Sequence, residues 1–167
     1  TLNDIDGGYV EKNHLHDAVS NVTAASSSAQ QVTGISVDSD CTIGSKMLHI
    51  RRNRIENLTV GATPFPVRGY QSDGINIAGT QNSNPASHKP TTRCLIEGNI
   101  IYNVGEGIDC FGSDNSILNN VIERAFGGGI KMIHSASRNR VAGNHITESG
   151  YAGILMGGST SGTNMDA

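Results

Sequence analysis

An all-β solenoid of about five stacked coils, built from short parallel strands, is the fold class this sequence predicts. Three observations carry that expectation. The unit Val/Ile–x–x–Asn–x–Ile/Leu occurs five times, at Val10–Asn13–Leu15, Ile50–Asn53–Ile55, Ile96–Asn99–Ile101, Ile117–Asn120–Ile122 and Val141–Asn144–Ile146. A second unit, Gly–Ile–x–apolar, also occurs five times, at Gly34–Val37, Gly74–Ile77, Gly107–Cys110, Gly129–Met132 and Gly153–Met156, and the two alternate strictly. The third is composition: 36% apolar, no Trp, three Phe, four Tyr and 21 Gly. So few large rings suit a narrow core of thin Ile, Val and Leu layers better than the centre of a compact α/β domain.

The first coil opens at Val10 and closes on the Gly34 unit. The second runs from Ile50 to Ile77, the third from Ile96 to Cys110, the fourth from Ile117 to Met132 and the fifth from Val141 to Met156. Within each unit apolar and polar positions alternate, which is the period of a strand. Gly107, Gly129 and Gly153 follow one another at 22 and 24 residues, one coil each. Each Asn is expected at the bend between two strands, where Asn tolerates the left-handed conformation. Stacked Asn side chains then hydrogen-bond coil to coil, removing roughly 1–3 kcal/mol for each polar group that would otherwise be buried unsatisfied. Five coils spaced by about 4.8 Å make a rod about 24 Å long.

The early coils carry insertions: the gap from repeat Asn to repeat Gly is 21, 21, 8, 9 and 9 residues. Loops are expected near 16–33, 57–73 and 79–93, stacked on one side of the rod as the wall of a groove. Residues 17–31 show no strong apolar stripe and read as loop, and 158–167 read as a polar tail after coils spanning 1–157. No amphipathic helix offers to cover an end. The chain is therefore expected to be a fragment of a longer solenoid, or a homo-oligomer that closes its ends by stacking.

A net charge of −3, from 12 basic and 15 acidic residues with no block of like charge, argues against a nucleic-acid or anionic-membrane partner. No run of 18 apolar residues offers a membrane-spanning helix. Cys41, Cys94 and Cys110 are too few and scattered for a disulfide framework. Cys110 falls on an inward position and reads as a small apolar residue; a Cys41–Cys94 bridge is the one pairing left open.

These units resemble the repeat of the right-handed parallel β-helix proteins, shared by pectate-lyase-like enzymes, mannuronan epimerases, phage tail spikes and periplasmic copper-maturation proteins. The resemblance covers about residues 10–157. It implies right-handed coiling and a location outside the cell, in the periplasm or on a virion. It speaks to fold more than to function, because the repeat is scaffold.

Alternation puts Ser36, Asn76, Asp109, Lys131 and Leu155 in one outward column, and the position before each repeat Gly reads Thr33, Asp73, Glu106, Gly128 and Ala152. Asp73, Asn76, Glu106, Asp109 and Lys131 thus share one flank of three adjacent coils. Three carboxylates, Asp73, Glu106 and Asp109, suit a hard cation such as Ca²⁺. Lys131 beside them can remove the C5 proton of a uronate if its neighbours lower its pKa. Arg138 or His134 is the expected acid, and Asn76 with the loop residues Arg68, His88 and Lys89 the expected substrate contacts. This is similar to β-helix polysaccharide lyases, which use Lys or Arg as base beside acidic calcium ligands.

Alternatively the carboxylates, Asp109 among them, act as general acid and base on a glycosidic bond, as the resemblance to polygalacturonases and tail-spike endoglycosidases implies. The plainest reading is an Asp109–Lys131 surface ion pair worth about 0–1 kcal/mol and no function. The expected function is processing of an acidic extracellular polysaccharide, as a lyase, with hydrolysis or a non-catalytic trunk as rivals. Elsewhere, Arg51 is expected to stack between Glu11 and Glu97, and His14 and His16 to be solvated surface rather than metal ligands.

Overall fold

Fifteen strands recur in threes along the chain. They are β1 (Asp6–Glu11), β2 (His14–Ser20), β3 (Gln31–Val37), β4 (Lys46–Arg51), β5 (Arg54–Val60), β6 (Gln71–Ile77), β7 (Leu95–Glu97), β8 (Ile100–Val104), β9 (Glu106–Cys110), β10 (Ser116–Leu118), β11 (Val121–Ala125), β12 (Gly128–Met132), β13 (Arg140–Ala142), β14 (His145–Thr147) and β15 (Ala152–Met156). The computed structural model describes residues 2–20, 31–37, 44–60, 71–77, 91–134 and 136–157. Every third strand joins one sheet, giving the orders β1-β4-β7-β10-β13, β2-β5-β8-β11-β14 and β3-β6-β9-β12-β15. All pairings are parallel. The molecule is a five-coil parallel β-helix, as the repeat predicts. Among the described residues there is no helix.

The core is a set of columns, one residue per coil. Ile50, Ile96 and Ile117 line the first sheet, Ile55, Ile101 and Ile122 the second, and Ile75, Ile108 and Ile130 the third, all fully buried. The repeat glycine has a steric cause. A Cβ on Gly74 would stand 2.6 Å from Gly107 O and 2.6 Å from Ile101 Cγ2, and one on Gly129 would meet Ile146 Cγ2 at 2.5 Å. The second-sheet isoleucine leans into the space that a side chain on the third sheet would need, so the two repeat units require each other.

The asparagine column is a continuous ladder. Asn13, Asn53, Asn99 and Asn120 each donate from Nδ2 to Oδ1 of the next coil's Asn, at 2.9, 3.0, 2.9 and 2.9 Å. Each backbone N–H donates to that same Oδ1, at 3.1, 3.0, 3.0 and 2.9 Å. The second Nδ2 hydrogen returns to a carbonyl of the preceding coil, as from Asn99 to Ile50 O at 2.9 Å. The bend itself is not on the asparagine, which corrects the expectation from the sequence. The left-handed residue is the one before it: Lys12, Arg52, Gly98, Asn119 and Gly143 have φ of 59, 57, 63, 54 and 66°. A side chain that must point inward to stack leaves the turning to its neighbour.

A second ladder was not anticipated. Asn115 Oδ1 accepts from Cys94 N at 2.9 Å, and Asn139 Oδ1 from Asn115 N at 2.8 Å. Its signal was present, since Asn115 and Asn139 each precede a ladder Asn by five residues. Cys94 and Cys110 are both buried, and the Cys41–Cys94 pairing left open by the sequence involves Cys41, which lies outside the described residues. The expected loops shrink, because β2 runs to Ser20, β3 starts at Gln31, β5 runs to Val60 and β6 starts at Gln71. What remains, 21–30, 61–70 and 78–90, and the expected tail at 158–167, lie outside the described residues. Arg51 pairs in register between Glu11 and Glu97, with its Nε 2.7 Å from Glu11 Oε2.

Candidate functional site

The third sheet delivers the acidic flank. Register sets Asp73 beside Glu106 and Asn76 beside Asp109 on β6 and β9, then Asp109 beside Lys131 on β9 and β12. These five come together as expected, but they are not solvated. Asp73 and Asp109 are 0% exposed, Lys131 6%, Asn76 7% and Glu106 9%. That excludes the weak surface-pair reading of Asp109 and Lys131, since a buried ion pair follows different energetics.

Lys131 Nζ is ion-paired to Glu106 Oε2, with a direct hydrogen bond, and lies 2.9 Å from Asp109 Oδ2. Asn76 Nδ2 reaches Asp73 Oδ2 at 3.5 Å. Asp73 Oδ1 and Asp109 Oδ1 have no hydrogen-bond partner among the described residues. One oxygen from each of Asp73, Glu106 and Asp109 lies within 4.8 Å of the other two. Calcium holds oxygens at about 2.3–2.6 Å, so three oxygens this close fit one coordination sphere. The donor set therefore fits a divalent cation. The Lys131 ammonium stands among the same carboxylates as their one positive partner among the described residues.

Burial pushes the Asp73 carboxyl up to about 7, helped by the charge of Glu106 and opposed by Lys131 and the Asn76 amide. Burial also holds Asp109 well above the usual carboxylate range, against the pull of Lys131. For Lys131 burial acts downward, but the charges of Asp109 and Glu106 and their hydrogen bonds outweigh it and hold the amine above its usual value. The lowered amine that β-elimination requires is thus absent while all the carboxylates face Lys131.

Asp73 makes stability depend on pH in an unusual direction. Its folded value of about 7 lies above its ordinary 3.8, so folding takes up a proton. The stability this gives is complete below pH about 4 and lost as pH rises through about 7. His134, lowered by burial and by Lys131, acts in the opposite sense. The expected outcome is that Asp73→Asn gains stability over wild type at pH 8 and loses that advantage at pH 5, read from urea midpoints. An advantage equal at both pH values would mean that Asp73 is ionised throughout.

Around the cluster, Phe111 is the contributor that sequence reading missed. Lys131 Nζ lies 5.9 Å from the centre of its ring, and the His134 ring 5.1 Å from it. Its only signal is a large apolar residue just after the inward Cys110. His134 therefore borders the cluster through Phe111, and its Nδ1 is buried without a hydrogen bond among the described residues. Arg138 does not join. Its Nε and Nη2 donate to Asp114 Oδ1 and Oδ2, each at 2.7 Å, in a two-point clasp at the surface. It lines, with His134 and Met156, a hollow of about 420 Å³ that none of the five cluster residues lines. Arg68, His88 and Lys89 lie outside the described residues. His14 and His16 pair with Glu56 and Asp17 on the second sheet, at 2.7 and 2.9 Å, as solvated surface.

The sequence pattern described as "Right handed beta helix region" matches residues 11–166. No curated protein and no solved structure matches the chain.

Proposed function

The chain belongs to the right-handed beta helix family, and from that premise we propose that it is a carbohydrate-active domain that cleaves an acidic extracellular polysaccharide by β-elimination at uronate residues. One observation carries the reading: three buried carboxylates, two with an oxygen that has no partner among the described residues, converge on one lysine from three adjacent coils. Buried groups in a purely structural network are ordinarily satisfied, and an unsatisfied one is costly. Strongly shifted carboxyls around a single base are a pattern of functional sites.

Asp73, Glu106 and Asp109 would hold a divalent cation, Ca²⁺ by donor type. Such an ion would bind the uronate carboxylate and acidify its C5 proton. With the three carboxylates no longer facing Lys131 as bare anions, burial is the influence left on its amine, and burial acts downward. Neutral Lys131 Nζ then takes the C5 proton. The C4–O bond breaks as the C4=C5 double bond forms, and the leaving oxygen takes its proton from the protonated His134 ring, which is left neutral. Glu106 and Lys131, with side chains 12% and 8% exposed, are the rim by which a polymer meets the cluster, while Asp73 and Asp109 form its closed floor. Loop contacts from Arg68, His88 and Lys89, and residence outside the cell, in the periplasm or on a virion, belong to the same proposal.

Hydrolysis is the second reading, and the proton Asp73 keeps up to about pH 7 favours it. A protonated carboxyl beside the ion-paired Glu106 has the division of roles that acid–base cleavage of a glycosidic bond uses. The two readings separate on products. Wild type incubated with uronate polymers is expected to generate the ultraviolet absorbance of an unsaturated uronate, and to lose it on chelation. Reducing ends without that absorbance would transfer the assignment to hydrolysis. No turnover of any acidic glycan would leave a non-catalytic binding or trunk segment.

A further inference from the structure

We infer that the chain, when no cation occupies the cluster, closes a covalent cross-link on itself: an amide between Lys131 Nζ and Asp109 Cγ that joins β12 to β9. The inference rests on the geometry of the cluster and not on the catalytic reading. Asp109 and Lys131 are register partners on neighbouring parallel strands, with Nζ 2.9 Å from Oδ2. Cγ is one bond beyond that oxygen, close to the roughly 3–3.5 Å at which reacting atoms are poised for attack. Asp109 is 0% exposed and Lys131 6%, so the two groups meet out of bulk water. Nothing among the described residues donates to Asp109 Oδ1, a bond that an ordinary structural carboxylate would be given.

Three conditions turn such an ion pair into an amide. The first is loss of charge. One proton passed from the ammonium to the carboxylate leaves an amine and an acid, and burial favours that neutral pair over two ions. The second is a proton carrier. Lys131 Nζ donates to Glu106 Oε2, so Glu106 is placed to take a proton from nitrogen as its lone pair attacks Cγ. Glu106 then hands that proton to the departing Asp109 oxygen. The C–N bond forms, the C–O bond breaks, one water leaves, and Glu106 ends as it began. The third is position. A well-oriented neighbour reacts as if present at about 10⁵–10⁸ M, which outweighs the water that would hydrolyse the product. The Phe111 ring, 7% exposed and 5.9 Å from Nζ, adds an apolar wall beside the same nitrogen. Asp109 rather than Glu106 is the carboxyl consumed, because it lies in register with Lys131 on the closed floor, whereas Glu106 stands in register with Asp73 at the rim. A divalent cation on the carboxylates occupies the Asp109 oxygens and blocks the reaction. The cross-link and the free Lys131 base are therefore alternative states of one site.

Intact-protein mass spectrometry reads this directly. Folded wild type, stripped of divalent ions and held for a week at pH 7, is expected to fall short of its sequence mass by one water. Its tryptic digest is expected to contain one branched peptide joining Asp109 to Lys131. Asp109→Asn is expected to reach the same final mass by losing ammonia instead. Glu106→Gln, its strands verified by far-ultraviolet circular dichroism, is expected to keep its full mass, as is wild type held in excess Ca²⁺. Full mass in wild type that is metal-free and still folded would overturn the inference. So would a water lost elsewhere, as by ring closure at Asp73–Gly74, or a link to Glu106. A Glu106→Gln chain that links as fast as wild type would overturn the role of Glu106, and linking in excess Ca²⁺ would overturn the block by cation. Mass is read without turnover, so failure here leaves the β-elimination reading standing, and failure of that reading leaves this measurement unaffected.

Discussion

Lys131→Met is expected to lower stability by about 3–5 kcal/mol at pH 8, the cost of removing one partner from a buried ion pair and leaving the other uncompensated. The variant keeps the length and most of the volume of the side chain, so the loss reports charge rather than a cavity. Lys131 is the only cation ion-paired to Glu106 and Asp109 among the described residues. Without it, burial and mutual repulsion act unopposed on Asp73 and Asp109, whose carboxyls already lie above their ordinary range. Protonation then relieves the variant, and most of the lost stability is expected to return by pH 5. Urea unfolding at the two pH values measures it. A loss below about 1 kcal/mol at pH 8, the range of surface positions, would show that water reaches the cluster freely.

Asn120→Ala is expected to cost about 3–5 kcal/mol, while Asn13→Ala costs about 1 kcal/mol or less. Asn120 accepts from both Asn99 N–H and Asn99 Nδ2, and donates to Ile96 O and Asn144 Oδ1. Truncation strands at least two donors inside the rod, at roughly 1–3 kcal/mol each. Asn13 makes bonds of the same chemistry, but at an exposed end where water replaces them. The contrast between the two positions is the measurement. Equal losses would mean that the amides contribute by shaping the turn rather than by satisfying buried groups.

The coils were legible because a solenoid repeats its instructions. Ile108 and Ile130 sit at the same place in successive units, and alternation alone puts both inside, where both are fully buried. The grouping of Asp73, Glu106, Asp109 and Lys131 was legible for the same reason, since residues one coil apart are neighbours in space. Their electrostatic state was not. Whether an outward-facing Asp109 meets water is decided by what packs over that flank, and no spacing within the repeat encodes it. Lys131 was expected to lose basicity on burial, and burial does act that way, but two carboxylates on the neighbouring strand outweigh it. The placement of Arg138 apart from the cluster was not legible for a related reason. Its partner Asp114 lies 24 residues earlier, at a corner where the repeat says nothing about which charges will clasp.

Each layer of the core touches only the layer above and the layer below, and the repeat glycines bring successive coils into backbone contact. Resistance to opening is then a graded property along the axis rather than one figure for the whole molecule. A turn whose inward isoleucine is half exposed, as Ile154 is, is expected to open more readily than one whose isoleucines are fully buried, as Ile108 and Ile130 are. The middle turns open only after a neighbour has left. Lys131 ties the fourth turn to the third through Glu106 and Asp109, among core isoleucines that are fully buried. A chemistry that needs oxygens held within a few ångströms of one another is thereby placed where local opening is expected to be rarest.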